Sequence, residues 1–493
     1  MAIRSRAVSA AEVLEAHLSR IAEYNPRLNA IVTLDADGAR RRAELADRAL
    51  ERGDLWGPLH GVPVTVKDTF CTAGMRTTAG FPALVDYVPQ EDATVVRRFR
   101  EAGAIVLGKT NVPSLAFDWQ SSNPLFGRTN NPWDLGRTAG GSSGGAAAAV
   151  AGRLIPLDIG SDLGGSIRVP AHFCGVFGLK PTDRRVSRVG HIPELPGRPL
   201  AVRWMSQAGP IARTVEDLEL ALRCIAGPDR RLWDLPPVSL GGVESRPLAS
   251  YRIAWTDRHP DVLPSETIQA TVTGWADRLA RLGCSVRRLS PEECRFLHDA
   301  WIAWAQLLVV QLSGALLEEE WERFLQEKGF CPDADDPVRR ASAQVDPSYR
   351  SLALLLQERD RWIGAIEGLF EEFDLMLLPA AATIAFPHCP YGTAIRIEGR
   401  EVPYFSAVSA FAAPFNFTGH PALVFPASLS PEGLPIGLQL VGPLWEEGRL
   451  LGFAQRLAEQ EGVGSPRPPH FEGRKGDPSD LAIRYPASRN QSR

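Results

Sequence analysis

Short runs of apolar, often β-branched residues alternate along this chain with stretches whose apolar residues recur at helical spacing. The short runs predict buried strands, and the longer periodic stretches predict amphipathic helices. The predicted strands are 62–66, 104–107, 154–159, 251–255, 285–289, 375–378, 423–425 and 436–441. The predicted helices are 9–23, 35–52, 93–102, 146–149, 214–224, 266–282, 293–328, 348–372 and 446–460. Because strands and helices alternate, the pattern indicates an α/β fold.

The same pattern predicts one large domain with an additional helical region in its second half. Residues 1–463 form the predicted domain, and about 240–372 form an inserted α/β and helical region that departs from the main sheet. A connector rich in proline, glycine and arginine, 228–250, leads into this region. Residues 464–493 contain prolines, glycines and arginines but few apolar groups, which predicts a mobile C-terminal tail.

Composition narrows the expected partners and compartment. The net charge of −4 over 493 residues gives no reason to expect nucleic acid or an anionic membrane surface. The seven cysteines are odd in number and none are spaced as Cys-x-x-Cys, which argues against a disulfide framework or a zinc site. The start lacks a signal-peptide core and no apolar run approaches membrane-spanning length. We therefore expect a cytoplasmic protein without membrane anchor, metal or cofactor, and a homodimer is compatible with the sequence.

Two turns rich in glycine and serine lie between residues 138 and 174. The first covers Gly140–Gly145 and the second covers Gly160–Ser166, with a small-residue helix and a short strand between them. Each turn places serines beside backbone N–H groups that secondary structure leaves unpaired. Because acyl transfer needs such donors at the developing oxyanion, these turns are candidate sites of nucleophilic catalysis.

Two other interpretations of the turns are weaker. A phosphate-binding loop would need Gly-x-x-x-x-Gly-Lys-Ser/Thr or Gly-x-Gly-x-x-Gly, and neither occurs in either turn. The stretch Gly140-Gly-Ser-Ser-Gly144 does satisfy Gly-x-Ser-x-Gly, the nucleophile elbow of α/β-hydrolases. That elbow follows a strand directly, whereas residues 131–139 resemble turns, so this match reflects composition.

Several stretches, in order and spacing, resemble the amidase signature family, which comprises serine amidohydrolases with a Ser-Ser-Lys triad. They are Gly61–Asp68, Asn123–Gly127, Asn131–Trp133, Gly140–Gly145, Gly160–Thr182 and Gly433–Gly442. The resemblance runs from about residue 8 to 462 and is strongest over 58–225. It implies a mixed, twisted central sheet covered by helices on both faces.

Carried over residue by residue, the resemblance implies a catalytic triad. Ser166 would be the nucleophile and acyl carrier, Ser142 the bridging serine after a cis Gly141–Ser142 bond, and Lys67 the base. A lysine accepts a proton only when it is neutral, so burial must lower its pKa well below about 10.4. The apolar strand before Lys67 offers that burial.

The resemblance also implies the supporting residues of the site. The backbone N–H groups expected to form the oxyanion hole are those of Leu163, Gly164, Gly165 and Ser166. Residues expected to brace this loop are Ser143, Asp162 and Arg168. The hypothetical substrate pocket comprises Ala116, Trp119, Gly141, Ile192 and parts of the predicted helix 293–328. Its tryptophans, Trp301, Trp304 and Trp321, are interpreted as core or lid residues.

The expected activity is cleavage of the C–N bond of small hydrophobic or aryl amides, with esters, anilides and carbamates as further substrates. Leu163 and the stretch Ser122–Phe126 resemble the fatty-acid amide hydrolase branch of the family. An alternative is the A-type glutaminase component of a tRNA amidotransferase, which usually carries glutamine where this chain has Val169. A non-catalytic binding protein of the same fold would be expected to lack one of the three catalytic groups.

Overall fold

The structure is a computed structural model that describes residues 2–192, 202–314, 322, 329, 334–469 and 471. The fifteen strands of the described chain, in order from β1, are Ile31–Leu34, Pro63–Lys67, Ile105–Thr110, Ser122–Asn123, Gly127–Arg128, Leu157–Asp162, Phe177–Lys180, Gln207–Ala212, Arg252–Trp255, Ser285–Arg288, Leu375–Pro379, Ile395–Ile397, Arg400–Val402, Ala422–Leu429 and Pro435–Val441. Eleven of them form a central sheet with the order β1-β3-β2-β6-β8-β7-β14-β15-β11-β9-β10. The pairs β4–β5 and β12–β13 form two small separate sheets.

Thirteen α-helices of the described chain surround the central sheet. In order from α1 they are Ala10–Leu28, Ala36–Glu51, Thr94–Glu101, Gly144–Ala151, Arg168–Cys174, Val215–Ile225, Glu266–Arg281, Arg295–Ser313, Pro337–Gln344, Tyr349–Glu372, Tyr404–Ser409, Pro414–Phe417 and Glu447–Glu461. The first begins with a reciprocal capping box between Ser9 and Glu12. Within the described ranges, every helix is too short or too polar to cross a lipid bilayer.

The sheet is buried on both faces. Along β11, Leu375 and Leu377 pack with α3, α6, α7 and α13, whereas Met376 and Leu378 pack with α8 to α12 on the other face. Successive strand residues point to opposite faces, so the apolar run satisfies two cores at once. The predicted mixed sheet covered by helices on both faces is confirmed, with parallel pairs such as β2–β6 beside antiparallel pairs such as β6–β8.

The region 240–372 contributes two strands to the central sheet and then continues as helices outside it. Strands β9 and β10 pair in parallel with each other, and β9 pairs with β11, so they form one edge of the central sheet. The chain then continues into the helices α8, α9 and α10, which form the helical excursion. Trp321 and most of the second half of the predicted helix 293–328 lie outside the described residues.

The C-terminal segment after α13 is described only in part. Phe471 is fully buried, and its ring lies 5.2 Å from that of Tyr24 on α1. The Ser465 hydroxyl donates a hydrogen bond to the carbonyl oxygen of Gly175. These contacts hold the first residues of the segment against the domain, and the rest of the predicted mobile tail lies outside the described residues.

One predicted strand lies further along the chain than its apolar pattern indicates. The apolar run 154–159 predicts a strand that ends before Gly160, but β6 begins at Leu157 and continues to Asp162. Residues 160–162 pair antiparallel with 207–209 of β8, and this pairing holds the polar end of the strand in the sheet. The extension places Asp162 at the start of the loop that leads to Ser166.

Candidate active site

Lys67 lies at the end of β2, beside the parallel strand β6. Its ammonium nitrogen Nζ lies 2.6 Å from Ser142 Oγ and 3.0 Å from Ser161 Oγ. The side chain has no exposed surface. Because burial disfavours the charged form, the pKa of Lys67 falls from 10.5 to about 7. Lys67 is therefore neutral in a substantial fraction of molecules near neutral pH.

Two buried carboxyl groups lie close enough to oppose that pKa decrease. The negative charges of Asp162 and Asp158 favour the ammonium form of Lys67, although burial dominates. Asp158, on β6, accepts hydrogen bonds from the hydroxyls of Thr65 at 2.5 Å and Thr110 at 3.1 Å. Burial nevertheless raises the pKa of Asp158 to about 7. Burial thus brings the pKa values of the lysine and this carboxyl close together.

The first glycine-serine turn brings Ser142 to the lysine. The Gly141–Ser142 peptide bond is cis, as the resemblance implies, and Gly140 adopts a φ of 85° that glycine tolerates. The turn ends at α4, where the hydroxyl of Ser143 donates to the carbonyl oxygen of Ser161. The Ser143 N–H donates to the carbonyl oxygen of Ser166 at 3.1 Å. These two bonds tie the first turn to both ends of the second.

Asp162 and Arg168 form a fully buried ion pair around the second turn. Arg168 Nη2 lies 2.9 Å from Asp162 Oδ1, and the same carboxylate accepts the N–H groups of Gly165 and Ile167. The adjacent guanidinium holds the pKa of Asp162 well below its usual range. Arg168 also donates to Gln439 Oε1 at 2.6 Å and to the carbonyl oxygen of Ala412 at 2.7 Å. This network fixes the loop 163–167 to the sheet.

The loop itself presents backbone donors. Gly165 has a φ of 107°, a conformation that strains other residues, and its N–H is bonded to Asp162. The N–H groups of Leu163, Gly164 and Ser166 donate to no acceptor within the described part of the chain. Three of the four predicted oxyanion donors are therefore unpaired, and the fourth is occupied by the bracing carboxylate.

An apolar cavity of about 470 Å³, its open mouth included, opens on Ser166. Ala116 and Trp119, two of the predicted pocket residues, line it. The other apolar lining residues that the structure describes are Phe117, Leu163, Trp304, Ala305, Leu308, Val338 and Phe405. Most are aromatic or branched aliphatic, so the cavity suits a flat or branched apolar group.

The structure does not bring the other two predicted pocket residues into this cavity. Ile192 is fully buried, donates its N–H to the carbonyl oxygen of Thr69 and does not line this cavity. Gly141 instead packs against the backbone of residues 118–120, where an added Cβ would lie 2.8 Å from Gln120 N. A larger residue at this position would therefore clash with that backbone.

A second cavity of about 510 Å³, its open part included, shares Ala116, Phe117, Leu163 and Ser166 with the first. Ser142 and Ser161 line it, together with the polar side chains of Arg188, His191 and Ser206. Arg188 donates to the carbonyl oxygen of Val202, and burial lowers the pKa of His191, which keeps it neutral. Ser166 thus lies at the junction of an apolar cavity and a more polar one.

Several residues of the apolar cavity come from distant parts of the chain. The sequence hypothesis places parts of the predicted helix 293–328, which contains Trp304 and Leu308, at the pocket, but it includes neither Val338 nor Phe405. Trp304 and Leu308 project from α8, Val338 from α9 and Phe405 from α11. Their apolar residue types are equally typical of a protein core, so only the fold reveals that they face a cavity. Among the residues that the structure describes, no cluster of His, Cys, Asp or Glu has the arrangement of a metal site.

Known proteins are similar to this chain in sequence and in fold. A family model described as Amidase matches residues 12–451. The A component of the glutamyl-tRNA(Gln) amidotransferase of Synechococcus sp. (strain RCC307) is 34% identical over 496 residues, covering 95% of this chain and 97% of that protein. The indoleacetamide hydrolase of Bradyrhizobium diazoefficiens is 34% identical over 473 residues, covering 94% and 85%. A solved bacterial aryl acylamidase of the amidase signature family superimposes with a TM-score of 0.76 at 28% identity, covering 93% and 94%.

The fold, the two glycine-serine turns and these matches define an amidase-type hydrolase as the class. The chain belongs to the amidase signature family, whose model spans nearly its whole length. The family resemblance drawn from the sequence motifs is thereby confirmed. Relatives with different substrates match this chain about equally well, so the choice of substrate depends on the site.

Replacing one member of the Asp162–Arg168 ion pair tests whether this pair stabilises the loop 163–167. Arg168→Met should lower the free energy of unfolding by about 3–5 kcal/mol, because it leaves a buried carboxylate without its counter-charge. Urea denaturation followed by tryptophan fluorescence measures the change. Arg287→Met removes the half-exposed pair with Glu293 and serves as the control, with an expected loss below about 1 kcal/mol. Equal losses in the two variants would contradict the bracing role.

Proposed function

We propose that this protein is a serine amidohydrolase that cleaves small hydrophobic or aryl amides through an acyl-enzyme on Ser166. The observation that carries the proposal is the aromatic and aliphatic cavity that opens on this serine. The apolar walls of this cavity favour a substrate with an apolar substituent next to the scissile bond, because burying that substituent removes apolar surface from water. Anilides, aryl carbamates and esters place the same kind of group next to a carbonyl, so they are further expected substrates.

In this mechanism protons move along a chain of three side chains. Neutral Lys67 takes the proton of Ser142, which in turn takes the proton of Ser166 as Ser166 Oγ attacks the carbonyl carbon. The C–N bond then breaks, and the amine leaves with the proton that Ser142 and Lys67 return to it. Water attacks the acyl-enzyme by the same proton path and releases the acid.

The unpaired backbone donors of the loop would stabilise the charge that develops on the carbonyl oxygen. The N–H groups of Leu163, Gly164 and Ser166 are available for this role, and one donor of this kind is typically worth about 3 kcal/mol of barrier. No step of this scheme requires a metal or an organic cofactor. The relatives named as hydrolases of indoleacetamide and of aryl acylamides support the proposed substrate class.

The second candidate function is that of an A-type amidotransferase component, which the Synechococcus relative favours. Such a glutaminase would have to hold the charged ammonium and carboxylate of glutamine. In the apolar cavity, the one ionisable group among the described lining residues is Asp118, which is already bonded to the hydroxyl of Tyr404. The second cavity also opens on Ser166 and contains Arg188, whose guanidinium donates to the carbonyl oxygen of Val202. The apolar cavity favours an apolar substituent over a zwitterion, because an unpaired charge is costly to bury.

A substrate panel on the purified chain distinguishes the two candidates. We expect kcat/KM for indole-3-acetamide or an acetanilide to exceed that for L-glutamine by at least about 100-fold. The opposite order, or activity that appears only after partner proteins are added, would favour the amidotransferase candidate. No turnover of any amide by the wild type would favour a binding protein that retains the fold.

Leu308 offers a matched pair of variants for the cavity. Leu308→Trp narrows the space and should lower kcat/KM for the aryl amide about tenfold or more, while acetamide is little affected. Leu308→Ala enlarges the same space and should extend activity to bulkier substituents. If both variants kept the wild-type preference, the apolar cavity would not be the substrate site.

A further inference from the structure

We infer that Trp304 is a positioning residue of the proposed hydrolase, and that its indole N–H holds the oxyanion loop with the Gly164 N–H facing the reacting carbonyl. This inference depends on the proposed function above. Trp304 lies on α8 in the helical region and is almost completely buried. Its Nε1 donates a hydrogen bond to the carbonyl oxygen of Leu163 at 2.7 Å.

The planarity of the peptide bond converts this contact into an orientation. In a trans peptide the C=O and N–H groups point in opposite directions, so a fixed Leu163 carbonyl also fixes the N–H of Gly164. That N–H has no acceptor within the described part of the chain. A hydrogen bond received by the carbonyl also polarises the peptide and strengthens its N–H as a donor. The indole, the peptide and an oxyanion would therefore form one chain of hydrogen bonds.

The next peptide shows why Trp304 and not Trp119 has this role. Trp119 Nε1 donates to the carbonyl oxygen of Gly164 at 2.9 Å, so the peptide between Gly164 and Gly165 is held in the same manner. Its N–H, however, is already bonded to Asp162 at 2.8 Å. Trp119 thus fixes a peptide with no free donor, whereas Trp304 fixes one with a donor available to substrate.

Close packing keeps the indole in place. A Cβ added at Gly164 would lie 2.6 Å from Cζ2 of Trp304, so the ring occupies the space that only glycine leaves open. The same ring lines the apolar cavity and lies 6.3 Å from the ring of Trp119. The ring therefore forms part of the cavity wall, while its N–H holds the Leu163 carbonyl.

Trp301 supplies a matched control on the same helix. It is also buried, and its Nε1 donates at 2.9 Å to Ser409 Oγ rather than to a carbonyl of the loop 163–166. Trp304→Phe and Trp301→Phe each keep an aromatic ring and lose one buried hydrogen bond. Comparable changes in thermal stability are expected, so a difference in catalysis reports on the oxyanion loop.

The experiment measures kcat and KM for an aryl amide in both variants. Trp304→Phe should lower kcat by about 10- to 100-fold with less than about a threefold change in KM, because the donor acts on the transition state. Trp301→Phe should keep kcat within about twofold of the wild type. Leu308→Ala, which alters the cavity without contacting the loop carbonyls, should change KM more than kcat. A Trp304→Phe variant with the kcat of Trp301→Phe would overturn the inference.

A second readout separates this inference from the proposed function. The rate at which a fluorophosphonate labels Ser166 depends on the same oxyanion donors but needs no amide substrate. We expect Trp304→Phe to reduce that rate at least tenfold relative to Trp301→Phe, even if the wild type hydrolyses none of the amides in the panel. Equal labelling rates would overturn the inference while leaving amide hydrolysis intact, and absence of labelling in all proteins would overturn both.

Discussion

Ser166→Ala should abolish amide hydrolysis, with kcat lowered by about 10⁴-fold or more. The expected loss is this large because the acyl-enzyme cannot form without the hydroxyl, and the remaining donors and cavity stabilise only a slow attack by water. Steady-state kinetics with an aryl amide measures the loss. Intact mass after treatment with a fluorophosphonate should show one adduct on the wild type and none on the variant.

A matched control uses a serine from the same surroundings. Ser206 lies in the wall of the second cavity and has no part in the proposed proton path, so Ser206→Ala should keep kcat within about threefold of the wild type. Residual hydrolysis by Ser166→Ala within tenfold of the wild type would place the nucleophile elsewhere. Ser142 would then be the next candidate nucleophile, because it lies in the turn 140–145 that resembles a nucleophile elbow and also lines the second cavity.

Lys67→Met should lower kcat by at least about 10³-fold, since no other described group lies within hydrogen-bond distance of Ser142 Oγ to accept its proton. Lys67→Arg should be equally inactive because guanidinium stays charged at all working pH values. Lys180→Met provides the control. Lys180 is also buried and its pKa is lowered to about 7, but it donates to the carbonyl oxygen of Pro181. Equal loss in Lys67→Met and Lys180→Met would indicate damage to the fold.

The pH dependence of the wild type tests the same base. Neutral Lys67 is the active form, so kcat/KM should rise with pH through about 7 and level off above it. The negative charge of Asp158 stabilises the ammonium form of Lys67. Asp158→Asn removes that charge, so the increase of kcat/KM with pH should occur at lower pH. The pH–rate profiles of the two proteins measure this shift. A profile that stays flat between pH 5 and 9 would contradict a lysine base.

Much of the site could be predicted from the sequence because its central chemistry lies in short contiguous motifs. Ser142, Ser143, Asp162 and Ser166 fall within two turns whose glycines indicate close backbone approach. The segment around Lys67 carries less information, since a lysine at a strand end is usually solvated. The fold supplies its partner, the Ser142 hydroxyl at 2.6 Å.

The apolar cavity could be predicted only in part. The sequence predicts that Ala116, Trp119 and parts of the helix 293–328 line it, but it does not predict the walls from α9 and α11. The apolar pattern of such helices is the same whether a face meets the core or an empty space. The expected pocket residue Ile192 is buried and lines neither of the two cavities, and its polar neighbour His191 lines the second cavity instead. Long-range packing, which leaves no local signal, decides these positions.

Strand boundaries show the same limit. The apolar run 154–159 predicts a strand, but β6 extends to Asp162 because its polar end pairs with β8. Tertiary pairing thus overrides the local hydrophobic signal. The shift matters for function, since it places the bracing carboxylate of Asp162 directly before the loop that carries Ser166.

The most direct test of Ser166 as the acyl carrier is to trap the acyl-enzyme on the purified chain. Rapid acid quenching during turnover of an aryl ester or activated amide, followed by peptide mapping, locates the acyl group. We predict a mass increase equal to that group on the peptide containing Ser166, and none when Ser166 is replaced by alanine. An acyl group on Ser142 or Ser143, or turnover without any covalent intermediate, would contradict this mechanism.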